Sequence, residues 1–368
     1  MRSFRFLLLL IFVLPFNVVG QIYPLIVGTY TGPGKNKGVH ALIFDSQDGS
    51  IIATNNFVQT DNPSFTSISE DGNFVYSVNE SGEKSGVSAF KFDHDLNQLK
   101  LINRIAMSSL DPCYIVVNKK HAITANYSSG DVSVFPIDQN GGLKDAIQTV
   151  KHTGKSLNPI RQNKPHAHMI AFTPDRKHIL VSDLGIDKVI LYTYDENSDE
   201  PLTFKQSFDV PQGAGPRHMT FSNDGKTLFV LGELDGNIHI FDFENNQLKL
   251  KNSISTIFPA RDINEFNAAH IQLSADGKFL YASVRGKENI ISVFEIKENG
   301  TLIPVQQVPS NGMGPRNFTI SPDGAWLLVA HQNSQSIIVF NIDAESGKLT
   351  QVGIDFRIAA PVSLQFIL

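Results

Sequence analysis

GPRHMTFSNDGKTLFVLGE, residues 215–233, reads as a polar tip, a short apolar strand, an Asn-Asp-Gly turn, a second apolar strand and another polar tip. The pattern recurs in AAHIQLSADGKFLYASVRG (268–286), GPRNFTISPDGAWLLVAHQ (314–332) and NPSFTSISEDGNFVYSVNE (62–80). PHAHMIAFTPDRKHILVSDLG (165–185) is a copy with Arg176 in place of the turn glycine, and DPCYIVVNKKHAITANY (111–127) is a shortened one. The turn positions Gly72, Arg176, Gly225, Gly277 and Gly324 are spaced at multiples of roughly fifty residues, the period of a β-propeller with several strands per repeat.

The repeat converts sequence offsets into spatial positions. Two strands joined by a tight turn run out and back, so residues equally far before and after the turn sit at the same end. Eight residues before the turn stand Ser64, His168, Arg217, Ala269 and Arg316; eight after it stand Glu80, Leu184, Glu233, Arg285 and Gln332. With the hairpins arranged in a ring, these positions gather on one face around the central channel. His218 and His270 begin other inner strands and are placed on the same face.

The count predicts an all-β, seven-bladed propeller with four antiparallel strands per blade. Third strands fall at 87–93, 131–138, 188–195, 237–243, 290–296 and 336–343, all short and rich in Val, Ile and Phe. Each is followed by a polar turn and then a leucine: Leu99, Leu143, Leu202, Leu248, Leu302 and Leu349. The seventh blade is split. The N-terminal segment lacks a first strand, and APVSLQFIL (360–368) is a first strand with nothing after it. Pairing them closes the ring and removes two exposed strand edges. No linker interrupts the repeats, so 21–368 is expected to be one domain. A closed ring needs no partner to cover its edges, so a monomer is expected.

The charges, 31 Lys and Arg against 36 Asp and Glu, are scattered. They form no basic stripe of the kind that nucleic-acid binding needs. Residues 1–20 combine a basic start, an apolar run too short to span a bilayer and a small-residue end, as a secretory signal peptide does. The expected location is periplasmic or secreted, with no membrane attachment after cleavage; without a functional signal the protein would be cytoplasmic. Cys113 is the only cysteine. It forms no internal disulfide and reads as a buried structural thiol.

At the ring mouth, Arg217, Arg285 and Arg316 outnumber the carboxylates Glu80 and Glu233. Buried charges need partners, and a guanidinium presents a planar fork that suits carboxylate or phosphate. The cluster therefore reads as an anion-binding pocket, with an internal salt-bridge network as the alternative. His166 and His168 lie on one face of a strand, a spacing that also suits metal. Their neighbours are arginines rather than further ligands, so a neutral base or hydrogen-bonding role is favoured and no metal is assigned. The long connection 151–168 runs into this strand. Arg161 and Lys164 on it read either as extra phosphate contacts or as a solvated basic loop. Asp183 and Asp187 read as loop-capping groups.

PHAHMIAFTPD, SDLGIDKVILYTYD, GAGPRHMTFSNDGKTLFVLGEL, FLYASVRG and GPRNFTISPDGAWLLVAHQ resemble the seven-bladed lactonase family, the propeller type of 6-phosphogluconolactonase. The fungal 3-carboxy-cis,cis-muconate lactonising enzyme shares that fold. The resemblance covers nearly the whole chain after residue 20. It implies cofactor-independent hydrolysis of a small anionic sugar-acid lactone. The muconate enzyme's motif residues, a His, two Arg and a Glu, fall on His168, Arg217, Glu233 and Arg285. His166, His218, His270, Glu80, Arg316 and Gln332 are expected to contact substrate. The competing readings are a muconate-type cycloisomerase and a non-catalytic propeller that binds a sugar acid or a protein.

Overall fold

Five repeats turn at a Ser/Thr-x-Asp corner followed by Gly or, once, Arg176, because the side chains there replace missing backbone partners. The hydroxyls of Ser69, Thr173, Ser222, Ser274 and Ser321 each donate to the carboxylate two residues on, at 2.5–2.7 Å. That carboxylate also accepts the backbone N–H two residues further along, as Asp224 does from Lys226 at 3.0 Å. The next residue after Asp must enter the left-handed region. Gly225 does so at φ 70° and Arg176 at φ 56°, which is strained for a side chain with a Cβ.

A computed structural model describes residues 21–32, 38–259, 266–353 and 355–368. Its strands form seven antiparallel sheets. Six blades follow in order over 66–106, 112–151, 167–209, 216–255, 266–309 and 315–357. The seventh combines Ile22–Thr29, Gly38–Asp45, Ser50–Ile52 and Phe57–Gln59 with the C-terminal Pro361–Phe366, which pairs with Ile22–Thr29. The expected ring closure is thus present. Two outer strands are broken into short pieces, Ser50–Ile52 with Phe57–Gln59 and Leu349–Gln351 with Phe356–Arg357. One position differs from expectation. Leu143 makes only an isolated bridge to Ile137, and the fourth strand of that blade begins at Gln148. Residues 1–20, which carry the signal-peptide reading, lie outside the described residues.

Packing between blades uses one repeated third-strand position. Phe90, Phe135, Tyr192, Phe241, Phe294 and Phe340 are each at most 2% exposed. Leu42 takes the corresponding place in the closing blade, opposite Leu25. These rings fill the wedges between neighbouring sheets, each burial being worth roughly 1.5–3 kcal/mol.

The inner strands carry a second repeated feature. Pro216 pairs with Gly232 and His218 with Leu231, so Arg217 is an extra residue with no partner. The same one-residue bulge isolates His168, Arg316, Cys113 and, in the closing blade, Val362. A bulge bends the strand and re-aims one side chain. Here it presents His168, Arg217, Arg316 and Cys113 to one mouth of the ring.

Candidate functional site

At that mouth is a cavity of about 390 Å³ lined by Glu80, Cys113, Tyr127, Arg161, His168, Arg217, Glu233, Asn267, Arg285 and Arg316. Aromatic rings pack against its lining residue His168. Phe65 stacks on Tyr114 with centroids 4.0 Å apart, and the contacts continue from Tyr114 to His218, His270 and Phe318. These rings come from five blades, so they meet across the channel.

Glu233 organises one corner. Its Oε2 accepts from Arg217 Nε at 2.7 Å and is 3.1 Å from Arg285 Nη2, and its Oε1 accepts from Arg161 Nη2 at 2.6 Å. Burial alone would raise its pKa, but Arg285, then Arg217 and Arg161, outweigh burial and hold the carboxyl well below the usual range. Burial, followed by neighbouring Arg285, pushes Arg217 down to about 9, so it stays cationic at neutral pH. Arg217 is 2% exposed. Its Nη1 donates to the Ala269 carbonyl and lies 3.1 Å from His218 Nε2. Since a guanidinium only donates, His218 accepts there. Its Nδ1 then donates to His270 Nδ1, 2.7 Å away. This arrangement requires neutral imidazoles, and burial lowers both histidine pKa values, that of His270 to about 3.

The opposite corner is looser. Tyr30 Oη donates to Glu80 Oε2 at 3.0 Å, and Arg316 lies over the Tyr30 ring with its Nη2 3.8 Å from the same oxygen. That ion pair is too long for a hydrogen bond. The Arg316 guanidinium therefore keeps donors that the described side chains leave unused. His168 lines the cavity between these corners. Its Nδ1 is buried and takes no hydrogen bond among the described residues. Burial, then Arg217, lowers its pKa well below the usual value, so the ring is neutral at pH 7. Cys113 is 4% exposed, and burial pushes its pKa upward, which keeps it a thiol.

The structure thus gathers His168, Arg217, Glu233, Arg285, Arg316 and Glu80 at one cavity. His218 and His270 do not line it: His218 packs against Arg217 and His168, and His270 against His218. His166 is outside it, stacked on Tyr127 at 4.3 Å with its Nδ1 2.8 Å from the Tyr127 carbonyl. Gln332 does not line the cavity, and its Oε1 is buried without a partner among the described residues. Lys164 reaches the Ser128 carbonyl at 2.6 Å instead of the cavity. Arg161 does reach it, and its Nη2 also donates to Tyr127 Oη at 3.1 Å.

Tyr127, Tyr30 and Asn267 escape the turn-offset reading. Tyr127 N–H donates to Asp111 as Glu233 N–H donates to Gly215, so the two tyrosine and glutamate positions are equivalent. Tyr30 N–H donates likewise to Ala360. The shortened repeat has no turn glycine from which to count, and the split blade has no turn. Asn267 is the strand partner of Arg285, a pairing that could have pointed to it.

Four guanidiniums and two carboxylates leave the cavity positive, suited to an anion and to an oxygen that becomes negative during reaction. A family model described as lactonase, 7-bladed beta-propeller, matches residues 24–366. The 6-phosphogluconolactonase of Bacillus subtilis (strain 168) is 30% identical over 349 residues, covering 93% of this chain and 97% of that one. That of Formosa agariphila is 32% identical over 347 residues, covering 92% and 98%. Among solved structures, the periplasmic gluconolactonase of Pseudomonas aeruginosa superposes with a TM-score of 0.90 at 31% identity, covering 95% of this chain and 99% of that one.

Proposed function

The chain belongs to the seven-bladed β-propeller lactonase family, and from that premise we propose that its cavity hydrolyses a sugar-acid lactone bearing a second, anionic group. The observation that carries this reading is the excess of guanidinium over carboxylate among the cavity residues. A phosphate or carboxylate on the substrate supplies the missing negative charge.

In this reading neutral His168 takes a proton from water as the water oxygen attacks the lactone carbonyl. Arg285 and Arg217 stabilise the resulting oxyanion. The ring C–O bond then breaks, and the departing alkoxide takes back the proton held by His168, giving the open hydroxy acid and restoring the neutral imidazole. Glu233 has both carboxylate oxygens filled by Arg161, Arg217 and Arg285, so it serves to fix those arginines rather than to take a proton from water. Arg316, with its unused donors, holds the distal anion.

The test is turnover of phosphorylated, carboxylated and plain sugar lactones, read by titration of released acid. Anionic lactones should give the highest kcat/KM. His168→Ala should lower kcat by about 10²–10⁴-fold. Unchanged rates in both His168→Ala and Glu233→Gln would remove this site from the chemistry.

We also propose export, on the basic and apolar character of residues 1–20. No helix among the described residues is long and apolar enough to cross a membrane. N-terminal sequencing of the mature protein from the extracytoplasmic fraction checks this; a mature form that begins at Met1 overturns it. Export matters for substrate choice, since a lactone met outside the cytoplasm differs from one made by sugar-phosphate oxidation within it.

A further inference from the structure

Asp187 is a carboxylate only 3% exposed, yet no cation pairs with it among the described residues. Four neutral donors hold it instead. Oδ2 accepts from the Ser156 hydroxyl and from Gly213 N–H at 2.6 Å. Oδ1 accepts from Gln162 Nε2 and from Gly215 N–H, both at 2.7 Å. These donors belong to two separate segments. Ser156 and Gln162 flank Arg161 on the long connection. Gly213 and Gly215 lead directly into Arg217.

The connection has little freedom of its own. Gln162 is fully buried, and its Nε2 also donates to the Leu184 carbonyl at 2.9 Å. Asn158 Oδ1 accepts the N–H groups of Ile160 and Arg161, each at 3.0 Å. The loop therefore behaves as a preformed hook whose attachment point is Asp187. Arg161 and Arg217 both end on Glu233, one on each carboxylate oxygen.

We propose that Asp187 is a positioning residue that ties the Arg161 loop to the Arg217 strand and so sets the anion affinity of the cavity. It does not line this cavity and takes no part in bond making. Its effect passes through Arg161, whose guanidinium reaches the cavity only while the loop is fastened. Asparagine at 187 would aim an N–H₂ group at donors, and half of the fastening would become repulsive. The inference rests on the cavity's being the lactone site, and binding measurements separate the two.

The experiment compares wild type, Asp187→Asn, Arg161→Ala and the double variant. It reads KM and kcat for an anionic lactone, and the calorimetric Kd of 6-phosphogluconate. Asp187→Asn should raise KM and Kd by about tenfold and leave kcat within about threefold. Adding it to Arg161→Ala should change little, because the two act through one group. Multiplying effects in the double variant, or a lowered kcat at unchanged KM, overturns the proposal. If Asp187→Asn does not fold, Ser156→Ala replaces it, with a rise of about threefold and the same non-additivity expected. A wild type that binds 6-phosphogluconate without turning over any lactone defeats the lactonase reading, while the Kd comparison still decides Asp187. A wild type that does neither overturns both.

Discussion

The Glu233 and Glu80 corners of the cavity use the same residue types and reach opposite states. At Glu233, three guanidiniums converge at 2.6–3.1 Å, and the carboxylate is saturated. At Glu80, a tyrosine hydroxyl occupies the carboxylate at 3.0 Å and the arginine stands off at 3.8 Å. Counting arginines would rank the first corner as the stronger anion site. Counting donors left unused reverses the ranking, because an arginine already bound to glutamate must give up that bond to take a ligand. The first corner is a rigid framework whose net positive charge, Arg161 included, attracts the anion, and the second is where a substrate anion gains direct hydrogen bonds.

The largest expected effect breaks the framework. Glu233→Gln removes the counter-charge of buried Arg217 and should cost about 3–5 kcal/mol of stability, with activity lost. Urea denaturation and turnover measure the two losses separately. A stability change below about 1 kcal/mol would show that the corner is not held by its ion pairs. Next, Arg316→Ala should raise KM for an anionic lactone by about tenfold to a hundredfold with kcat nearly unchanged. A plain lactone should show little of this rise, and an equal rise for both would assign Arg316 another task. Smaller again, Glu80→Gln should leave kcat within a few-fold, because it removes no guanidinium from the reacting end. A loss matching that of Glu233→Gln would erase the distinction between the corners.

A separate effect concerns pH. His168, His218 and His270 all have pKa values lowered chiefly by burial. Between the unfolded histidine value near 6.5 and the lower folded values, the unfolded chain binds more protons, so stability falls as pH drops. Glu233 works in a lower window. Its depressed pKa stabilises the fold above about pH 4.3 and loses that contribution as pH falls further. The urea midpoint should therefore decline from pH 7 to pH 5, and His270→Phe should flatten the decline. A midpoint independent of pH over that range would mean that these buried histidines are not neutral by necessity.

Much of this was legible in the residues because a propeller repeats its own rule. A turn identified by Ser-x-Asp-Gly fixes strand ends by counting, and the count brought His168, Arg217, Glu233, Arg285 and Arg316 to one mouth. The rule fails where its origin is missing. Tyr127 follows a turn without glycine, and Tyr30 sits in a blade whose inner strand comes from the other end of the chain. His166, two residues from His168, faces Tyr127 rather than the cavity. The inner-strand bulge makes His168 the extra residue, so simple alternation misplaces its neighbour.

The residues alone determined the number of blades, the closure of Ile22–Thr29 by Pro361–Phe366 and the identity of most cavity groups, since each depends on short-range pattern and repetition. Tertiary structure decided which arginines are hydrogen-bonded to a carboxylate and which keep donors that the described side chains leave unused. That follows from distances between segments far apart in sequence, such as Arg161 to Glu233 and Arg316 to Glu80. Periodicity places a side chain at an end of a strand. Only the packing of a loop, fastened by Asp187, sets whether its charge meets a partner at hydrogen-bonding distance.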